Sequence, residues 1–252
     1  RRRSDVWVFD IKRGVNARLS PVDKPSSNPV WSPDGTRIAF SSQRKHQGDM
    51  YVKAMAGAGT EEPLIEAEGQ SLPQDWSPDG RNLIYEERAA RGERKVAVKI
   101  LPLFGDRRPV SFFQRGIANG SERISPNGRW IAFTADDSGR QEISVAPVDG
   151  SSNRVQVSNG GGDHPRWSRD GKELFYLAPD GKLMSVSVFS RKDSSAFDAG
   201  PARALFDTEL TGSVPPLYDV SPDGRFLVVS RVPGSAPPPI TLLVNWTAEE
   251  RP

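Results

Sequence analysis

Short apolar runs separated by turn residues recur along the 252-residue chain. Five runs are apolar at nearly every position, which is typical of strands covered on both faces of their sheet. They are residues 38–40, 83–85, 130–133, 174–177 and 226–229. A more alternating run follows each, at residues 50–52, 96–98, 143–145, 183–186 and 242–244. Weaker runs then follow at residues 64–65, 110–111, 155–157 and 204–206. The pattern predicts repeated groups of short strands.

A four-residue turn stands before each of the five apolar runs. The turns are Ser32-Pro33-Asp34-Gly35, Ser77-Pro78-Asp79-Gly80, Ser125-Pro126-Asn127-Gly128, Ser168-Arg169-Asp170-Gly171 and Ser221-Pro222-Asp223-Gly224. Pro presets the backbone for the turn, Asp or Asn bonds to the nearby backbone, and Gly adopts a left-handed conformation. A large apolar residue precedes each turn: Trp31, Trp76, Ile124, Trp167 and Val220. Each turn therefore joins the first two strands of a repeat.

The turns recur every 43 to 53 residues, a period that belongs to propeller blades. We therefore predict an all-β fold, a β-propeller of four-stranded antiparallel blades in one domain or a fragment of it. The predicted blades are residues 28–66, 73–112, 120–158, 163–207 and 216–246, preceded by a half blade at 1–20. With that half blade the predicted propeller has six blades. The half blade contains a third and a fourth strand. Either it completes the last blade or residues of a longer chain upstream do so, and we favour the second.

The aromatic residues of the repeat are expected to lie in the core. They recur at the same position of each repeat, whereas the aromatic residues of a stacking platform for ligands would cluster on one exposed face. Burial of each such side chain is worth roughly 1.5 to 3 kcal/mol.

Charge and composition exclude several classes of partner. The 34 Lys and Arg residues nearly balance the 32 Asp and Glu residues and are interspersed with them, so no basic surface for nucleic acid is expected. The apolar runs are too short to cross a membrane, although Arg1-Arg2-Arg3 is either a solvated end or the flank of a membrane segment upstream. The chain has no cysteine, which excludes disulfides and thiolate chemistry.

The sequence lacks the common catalytic motifs. Its two histidines, His46 and His164, lie in different repeats, and no Gly-x-Ser-x-Gly elbow, phosphate-binding loop or kinase signature is present. The acidic stretch Asp136-Asp137-Ser138-Gly139 lacks the later carboxylates of a calcium loop and is expected to form a turn. We predict no catalytic residues, no cofactor and no metal site.

Charged residues occupy one position of the innermost strands. The residue before the large apolar position is Val30, Asp75, Arg123, Arg166 or Asp219, and Asn28, Gln74, Glu122 and His164 lie beside it. Innermost strands line the central channel of a propeller. These side chains are therefore candidates to bind a polar group of a peptide or ligand at the channel mouth. The alternative is that the charges only neutralise one another across adjacent blades.

The repeats resemble the TolB-like, WD40-like propellers of bacteria, which carry a Trp-Ser-Pro-Asp-Gly motif before an Ile-Ala-Phe strand. Residues 31–35 with 38–40 match this motif closely, and so do residues 76–80. Residues 5–10, 172–177 and 242–247 are similar to the propeller at the C-terminus of bacterial serine/threonine protein kinases. Ile124 replaces the Trp in one repeat, and Arg169 replaces the turn Pro in another. The resemblance implies a periplasmic or extracytoplasmic location and a parent protein that is membrane-anchored.

The function expected is therefore that of a non-catalytic sensor or scaffold that binds a protein, a peptide or a ligand, as the C-terminal part of a larger serine/threonine protein kinase or TolB-like protein. Polar insertions at residues 43–48, 87–94 and 190–201 are candidate contact loops. One enzyme alternative is the substrate-gating propeller of a prolyl-oligopeptidase-type serine hydrolase. The other is an active site within the channel, which two scattered histidines do not favour.

Overall fold

The described part of the chain is built from β-strands joined by short turns. In the computed structural model it comprises residues 4–10, 12–46, 48–55, 59–66, 69–89, 96–115, 121–136, 139–150, 154–190, 196–208 and 218–228. None of these residues is helical, so the part described contains no helix able to span a membrane. The chain divides into two units, Arg1–Gly120 and Ser121–Pro252.

The described residues of the first unit form one two-stranded sheet and two four-stranded antiparallel sheets. Strands β1 (Trp7–Asp10) and β2 (Val15–Arg18) pair with each other. The first complete blade has the order β3 (Ser26–Trp31), β4 (Arg37–Ser42), β5 (Asp49–Ala54), β6 (Glu61–Ile65). The second has the order β7 (Gln70–Trp76), β8 (Asn82–Arg88), β9 (Val96–Pro102), β10 (Val110–Arg115). Within each of these sheets, every strand thus pairs with the next strand along the chain, as the repeat predicts.

The second unit continues the same arrangement. Its third complete blade has the order β11 (Arg123–Ile124), β12 (Trp130–Ala135), β13 (Glu142–Pro147), β14 (Val155–Gln156). The fourth consists of β15 (Asp163–Trp167), β16 (Glu173–Leu177), β17 (Lys182–Ser190), β18 (Phe197–Ala199) and β19 (Arg203–Asp207), with both β18 and β19 paired to β17. The last blade is described as β20 (Tyr218–Val220) and β21 (Phe226–Val228). Its predicted third strand, at residues 242–244, lies outside the described residues.

The predicted turns join the first and second strands of all five repeats. In the first, Gly35 has φ of 67° and its N–H donates to the Ser32 carbonyl over 2.9 Å. The Ser32 hydroxyl donates to Asp34 and accepts from the Arg37 N–H over 2.9 Å. Asn127 takes the place of the carboxylate in the third turn, where its Oδ1 accepts from the Ser125 hydroxyl over 2.7 Å. An oxygen acceptor at this position therefore suffices to close the turn.

Apolar second strands form the cores between blades. The side chains of Ile38 and Phe40 pack in the core next to β1 and β2, whereas Ala39 packs in the core shared with the second blade. The two faces of one strand thus enter two different cores, which explains why the run is apolar at every position.

The expectation that every aromatic residue is buried is wrong for several positions. Trp31 is 49 % exposed, and Trp7 and Phe9 are more than half exposed. The equivalent Trp76 is only 4 % exposed, because its indole packs on the preceding blade and its Nε1 donates to the Val30 carbonyl over 3.2 Å. Trp31 has no such partner among the described residues, since β1 and β2 supply only the outer half of a blade.

The prediction of a polar loop at residues 190–201 is also partly wrong. It contains β18, which extends the long strand β17 as a second hairpin. Phe197 on this strand is 6 % exposed and packs edge-on to Trp130, with ring centroids 5.2 Å apart. This insertion contributes to the core of its unit rather than forming only a polar surface loop.

Candidate binding site on the innermost strands

Three innermost strands carry a bulge at the same place in the repeat. Their pairing with the second strand shifts between Ser27 and Val30, between Pro73 and Asp75, and between Asp163 and Arg166. A proline lies within or at the edge of each bulge, where its missing N–H removes a ladder hydrogen bond. Bulges redirect side chains and are frequent beside functional sites. The hydrophobic pattern does not predict these bulges, although Pro29, Pro73 and Pro165 indicate them.

Two candidate residues have a left-handed backbone at their bulge. Asn28 has φ of 52° and His164 has φ of 57°, and each precedes a proline. Positive φ is uncommon outside glycine, although Asn and His tolerate it better than most residues. Such conformations persist where the surrounding structure holds them, often at binding sites.

His164 is held between charged neighbours in the second unit. It is 8 % exposed, its N–H donates to Asp163 Oδ1 over 2.7 Å, and its carbonyl accepts from the Tyr218 hydroxyl over 2.7 Å. Its ring Nδ1 lies 3.3 Å from Asp163 Oδ2. Its ring Nε2 is buried and has no hydrogen-bond partner among the residues described. Since Nδ1 faces a carboxylate, the tautomer favoured carries the proton on Nδ1 and leaves Nε2 as an acceptor.

The surroundings of His164 keep its imidazole neutral. Burial lowers the pKa of His164 below its ordinary value of 6.5, and the charges of Arg166 and Arg123 lower it further. Asp163 opposes this shift without reversing it. The ring therefore offers an uncharged acceptor at neutral pH.

Arginine and aspartate side chains also surround His164. Arg166 is 7 % exposed, and its Nε lies 3.4 Å from Asp219 Oδ1 of the next blade. The Asp219 side chain is 72 % exposed. Arg123 donates to the Glu122 carbonyl over 2.6 Å, and the buried Glu122 side chain lies on the same strand segment. The second unit thus brings five of the predicted residues onto three successive inner strands or directly beside them: Glu122, Arg123, His164, Arg166 and Asp219.

The other three predicted residues lie in the first unit. Asn28 is partly buried in the bulge of β3. Gln74 is 4 % exposed and its Nε2 donates to the Leu72 carbonyl over 3.3 Å, while Asp75 Oδ1 accepts from the Trp76 N–H over 2.9 Å. These two hydrogen bonds are local, and they lie at the bulge of β7.

Two residues of the second-unit cluster are not among those predicted from the sequence. Tyr218 is 2 % exposed, lies under the Arg166 guanidinium at 5.6 Å and donates to the His164 carbonyl. Burial raises the pKa of Tyr218 well above its usual range, so its hydroxyl stays a donor. Asp163 also accepts from the Thr134 hydroxyl over 2.7 Å, which fixes the carboxylate that orients His164. No motif marks Asp163, whereas Tyr218 stands two residues before the large apolar position.

The described residues contain no group of three or more side chains suited to a metal ion. At the acidic stretch 136–139, the Gly139 N–H donates to the Asp136 carbonyl over 2.9 Å and φ of Gly139 is 77°. This geometry is the turn between β12 and β13 that the sequence predicts; residues 137 and 138 lie outside the described part of the chain.

A family model described as the TolB beta propeller domain matches residues 1–191. The solved structure of TolB from Acinetobacter baumannii aligns over 90 % of this chain and 54 % of its own, with a TM-score of 0.64 and 20 % identity. That likeness shows the fold, and it confirms the predicted propeller of four-stranded blades.

Two relatives carry peptidase names. The uncharacterized peptidase YuxL of Bacillus subtilis is 32 % identical over 36 % of this chain, and tricorn protease homolog 1 of Streptomyces coelicolor is 26 % identical over 51 % of it. The matches cover 14 % and 13 % of those proteins, so this chain corresponds to a small part of each.

Proposed function

Because this chain belongs to the TolB β-propeller family, we propose that it is a non-catalytic module that binds a protein or peptide at the inner strands of its second unit. The fold alone does not supply this function. The observation that carries the proposal is His164, a buried neutral imidazole at a bulge, whose Nε2 has no hydrogen-bond partner among the described residues. Such a buried acceptor costs about 1 to 3 kcal/mol unless something satisfies it.

The surrounding groups suit a peptide backbone or a polar side chain. His164 Nε2 accepts an N–H or O–H of the partner, and the guanidinium groups of Arg123 and Arg166 donate to its carbonyl or carboxylate oxygens. The inner strands of the second unit thus offer both acceptors and donors, which a peptide bond requires.

Charge neutralisation between blades is the alternative role for these residues. The ion pair of Arg166 with Asp219 has this form, but Asp219 is mostly exposed and the separation is 3.4 Å. Exposed ion pairs contribute about 0 to 1 kcal/mol. A partner carboxylate or carbonyl can replace Asp219 at little cost, so the pair is compatible with binding.

Reversal of both arginines tests the proposal. We expect random dodecapeptides displayed on phage to be enriched on the wild-type chain after counter-selection on the empty support. The best peptide, made synthetically, should bind the double variant at least tenfold more weakly in calorimetry. Arg13→Glu is the matched control, because Arg13 lies in the first unit with a side chain 81 % exposed, and it should leave the Kd unchanged.

Two outcomes decide between binding and neutralisation. A lower Kd for the wild type than for the double variant, with both chains folded by circular dichroism, supports binding. Equal Kd values combined with a lower melting temperature for the double variant show that the arginines only stabilise the blades.

A second candidate function is that of the propeller that restricts substrate access in a larger peptidase. The matches to YuxL and to tricorn protease homolog 1 favour this context. The resemblance of residues 242–247 to kinase C-termini favours a serine/threonine kinase instead. The coding sequence around this chain distinguishes them: a Gly-x-Ser-x-Gly elbow marks the peptidase, and kinase motifs upstream mark the kinase.

A further inference from the structure

Asp163 is held in place by hydrogen bonds at the start of β15. Its Oδ1 accepts from the Thr134 hydroxyl and from the His164 N–H, each over 2.7 Å. The Thr134 Oγ1 also lies 3.0 Å from the Ser121 Oγ, and both hydroxyl side chains are buried. Because Thr134 has a single hydroxyl proton and donates it to Asp163, Ser121 donates to Thr134. A directed chain of donors thus fixes one oxygen of the carboxylate.

The other oxygen of Asp163 faces the imidazole of His164. Asp163 Oδ2 lies 3.3 Å from the ring Nδ1. A carboxylate has no proton to donate, so it favours the tautomer that carries the proton on Nδ1. The ring Nε2 is then an acceptor, and it is the buried atom that the described residues leave unsatisfied. Asp163 therefore determines which kind of group Nε2 can bind.

The fold does not require a carboxylate at this position. In the pairing of the first two strands, Asp163 stands where the second complete blade has Leu72. Leu72 and Pro73 therefore occupy the places of Asp163 and His164. Leu72 is buried there, so an apolar side chain can build the same part of the strand.

Two arginines restrict the charge of a group that binds to His164. The charges of Arg166 and Arg123 act with burial to lower the pKa of His164, and Asp163 opposes this effect without reversing it. Guanidinium groups that disfavour a positive charge on the ring also disfavour one on a group bound to the ring. The ammonium of a lysine or of a chain N-terminus is therefore a poor partner for Nε2, whereas a neutral N–H meets no such repulsion.

We propose that Asp163 is a positioning residue that fixes Nε2 of His164 as an acceptor, and that the site thereby selects a neutral backbone N–H within a peptide; this rests on the proposed function, since it names the partner of the same site. An internal amide presents its N–H close to a carbonyl, to which the Arg166 guanidinium can donate. Proline has no backbone N–H, so the site excludes it at this point of the peptide.

The ring protons test the role of Asp163 without any peptide. In a chain labelled with [15N]histidine, the nitrogen signals of His164, assigned with His46→Asn, should show a protonated Nδ1 and an unprotonated Nε2 above pH 7. Asp163→Asn should reverse this pattern. Because Thr134 and the His164 N–H both donate to Oδ1, the amide oxygen takes that place and the amide NH2 donates to Nδ1. A proton on Nε2 in the wild type, or one that stays on Nδ1 in the variant, overturns the positioning role.

Asp180→Asn is the matched control for loss of a carboxylate. Asp180 lies in a turn of the same unit with a side chain that is 55 % exposed. The control should leave the nitrogen signals of His164 and the affinity for peptide unchanged. Asp163→Asn keeps the shape of the side chain, so its circular dichroism should match that of the wild type.

N-methylation of a selected peptide tests the choice of a backbone N–H. At one internal position, a methyl group on the nitrogen should weaken binding to the wild type about tenfold or more. The same methyl group should change the Kd for Asp163→Asn by less than about threefold, because Nε2 no longer accepts in that variant. Acetylation of the N-terminus and replacement of lysine by norleucine should leave the Kd unchanged. A peptide that needs either ammonium overturns the selection of a neutral N–H.

The outcomes separate this selection from peptide binding itself. If no peptide binds the wild-type chain, the proposed function fails and the selection fails with it, while the nitrogen signals still decide the role of Asp163. If a peptide binds and is weakened by R123E/R166E, but N-methylation affects the wild type and Asp163→Asn equally at every position, the proposed function stands and the selection is overturned.

Discussion

His164 shows how a single residue combines backbone, burial and charge. It has a positive φ within a bulge that Pro165 helps to create. Its ring is buried beside Asp163, and the charges of two arginines lower its pKa. Each feature alone occurs in structural histidines. Together with an Nε2 that the described residues leave unsatisfied, they make this residue the centre of the candidate site.

The lowered pKa of His164 predicts a pH dependence. The unfolded chain binds a proton near pH 6.5 and the folded chain does so only at lower pH, so stability is full above pH 6.5 and falls below it. NMR titration of the ring protons should place the His164 transition below pH 6.5. His164→Asn, which keeps a residue that tolerates positive φ, should reduce the fall in stability between pH 6.5 and 5. A His164 transition above pH 6.5 would contradict the assignment.

The turn carboxylates predict a second pH dependence. Hydrogen bonds from Ser32 and Thr36 lower the pKa of Asp34 from 3.8 to about 2. The contribution of this turn is therefore complete above about pH 4 and is lost as the pH falls toward 2. Carbon-detected titration of the Asp34 carboxyl measures this directly.

The third turn provides the matched substitution for Asp34. Asp34→Asn should keep the fold near pH 7, with Tm within about 3 °C of the wild type, because Asn127 makes the same bonds. Failure of this variant to fold would show that the charge, and not the oxygen acceptor, closes the turn.

At the level of the strands, Trp76 packs its blade against the preceding one. Trp76→Ala should lower the free energy of unfolding by about 3 to 5 kcal/mol, because it empties a buried site and leaves the Val30 carbonyl without its donor. Trp31→Ala, at the equivalent but half-exposed position, should cost less than about 1.5 kcal/mol. Urea unfolding measures both, and equal losses would contradict the inter-blade role.

The sequence predicts the strands and turns well, because a turn such as Ser32-Pro33-Asp34-Gly35 and a fully apolar strand are local features. It does not predict the exposure of Trp31, which depends on the inner strands of a neighbouring blade. Similarly, β18 became part of the core only because Phe197 reaches Trp130 in another blade. The candidate site was located by repeat position, but its bulges and Asp163 emerged only from the pairing of strands.

At the scale of the whole molecule, the repeated blade is a scaffold, and differences between repeats mark where function is expected. Arg166 replaces the Val30 of the first complete blade, and His164 replaces Asn28 at the equivalent bulge. The propeller fold is shown by the family match, whereas peptide binding at the second unit is our proposal.

Peptide binding at the second unit is best tested by the dissociation constant of a selected peptide for His164→Asn. We expect a Kd at least tenfold weaker than that of the wild type, since the Nε2 acceptor is lost while the backbone is retained. His46→Asn, in a loop of the first unit, should bind the peptide as the wild type does. An unchanged Kd for His164→Asn, in a chain folded as the wild type, would show that His164 does not bind the peptide.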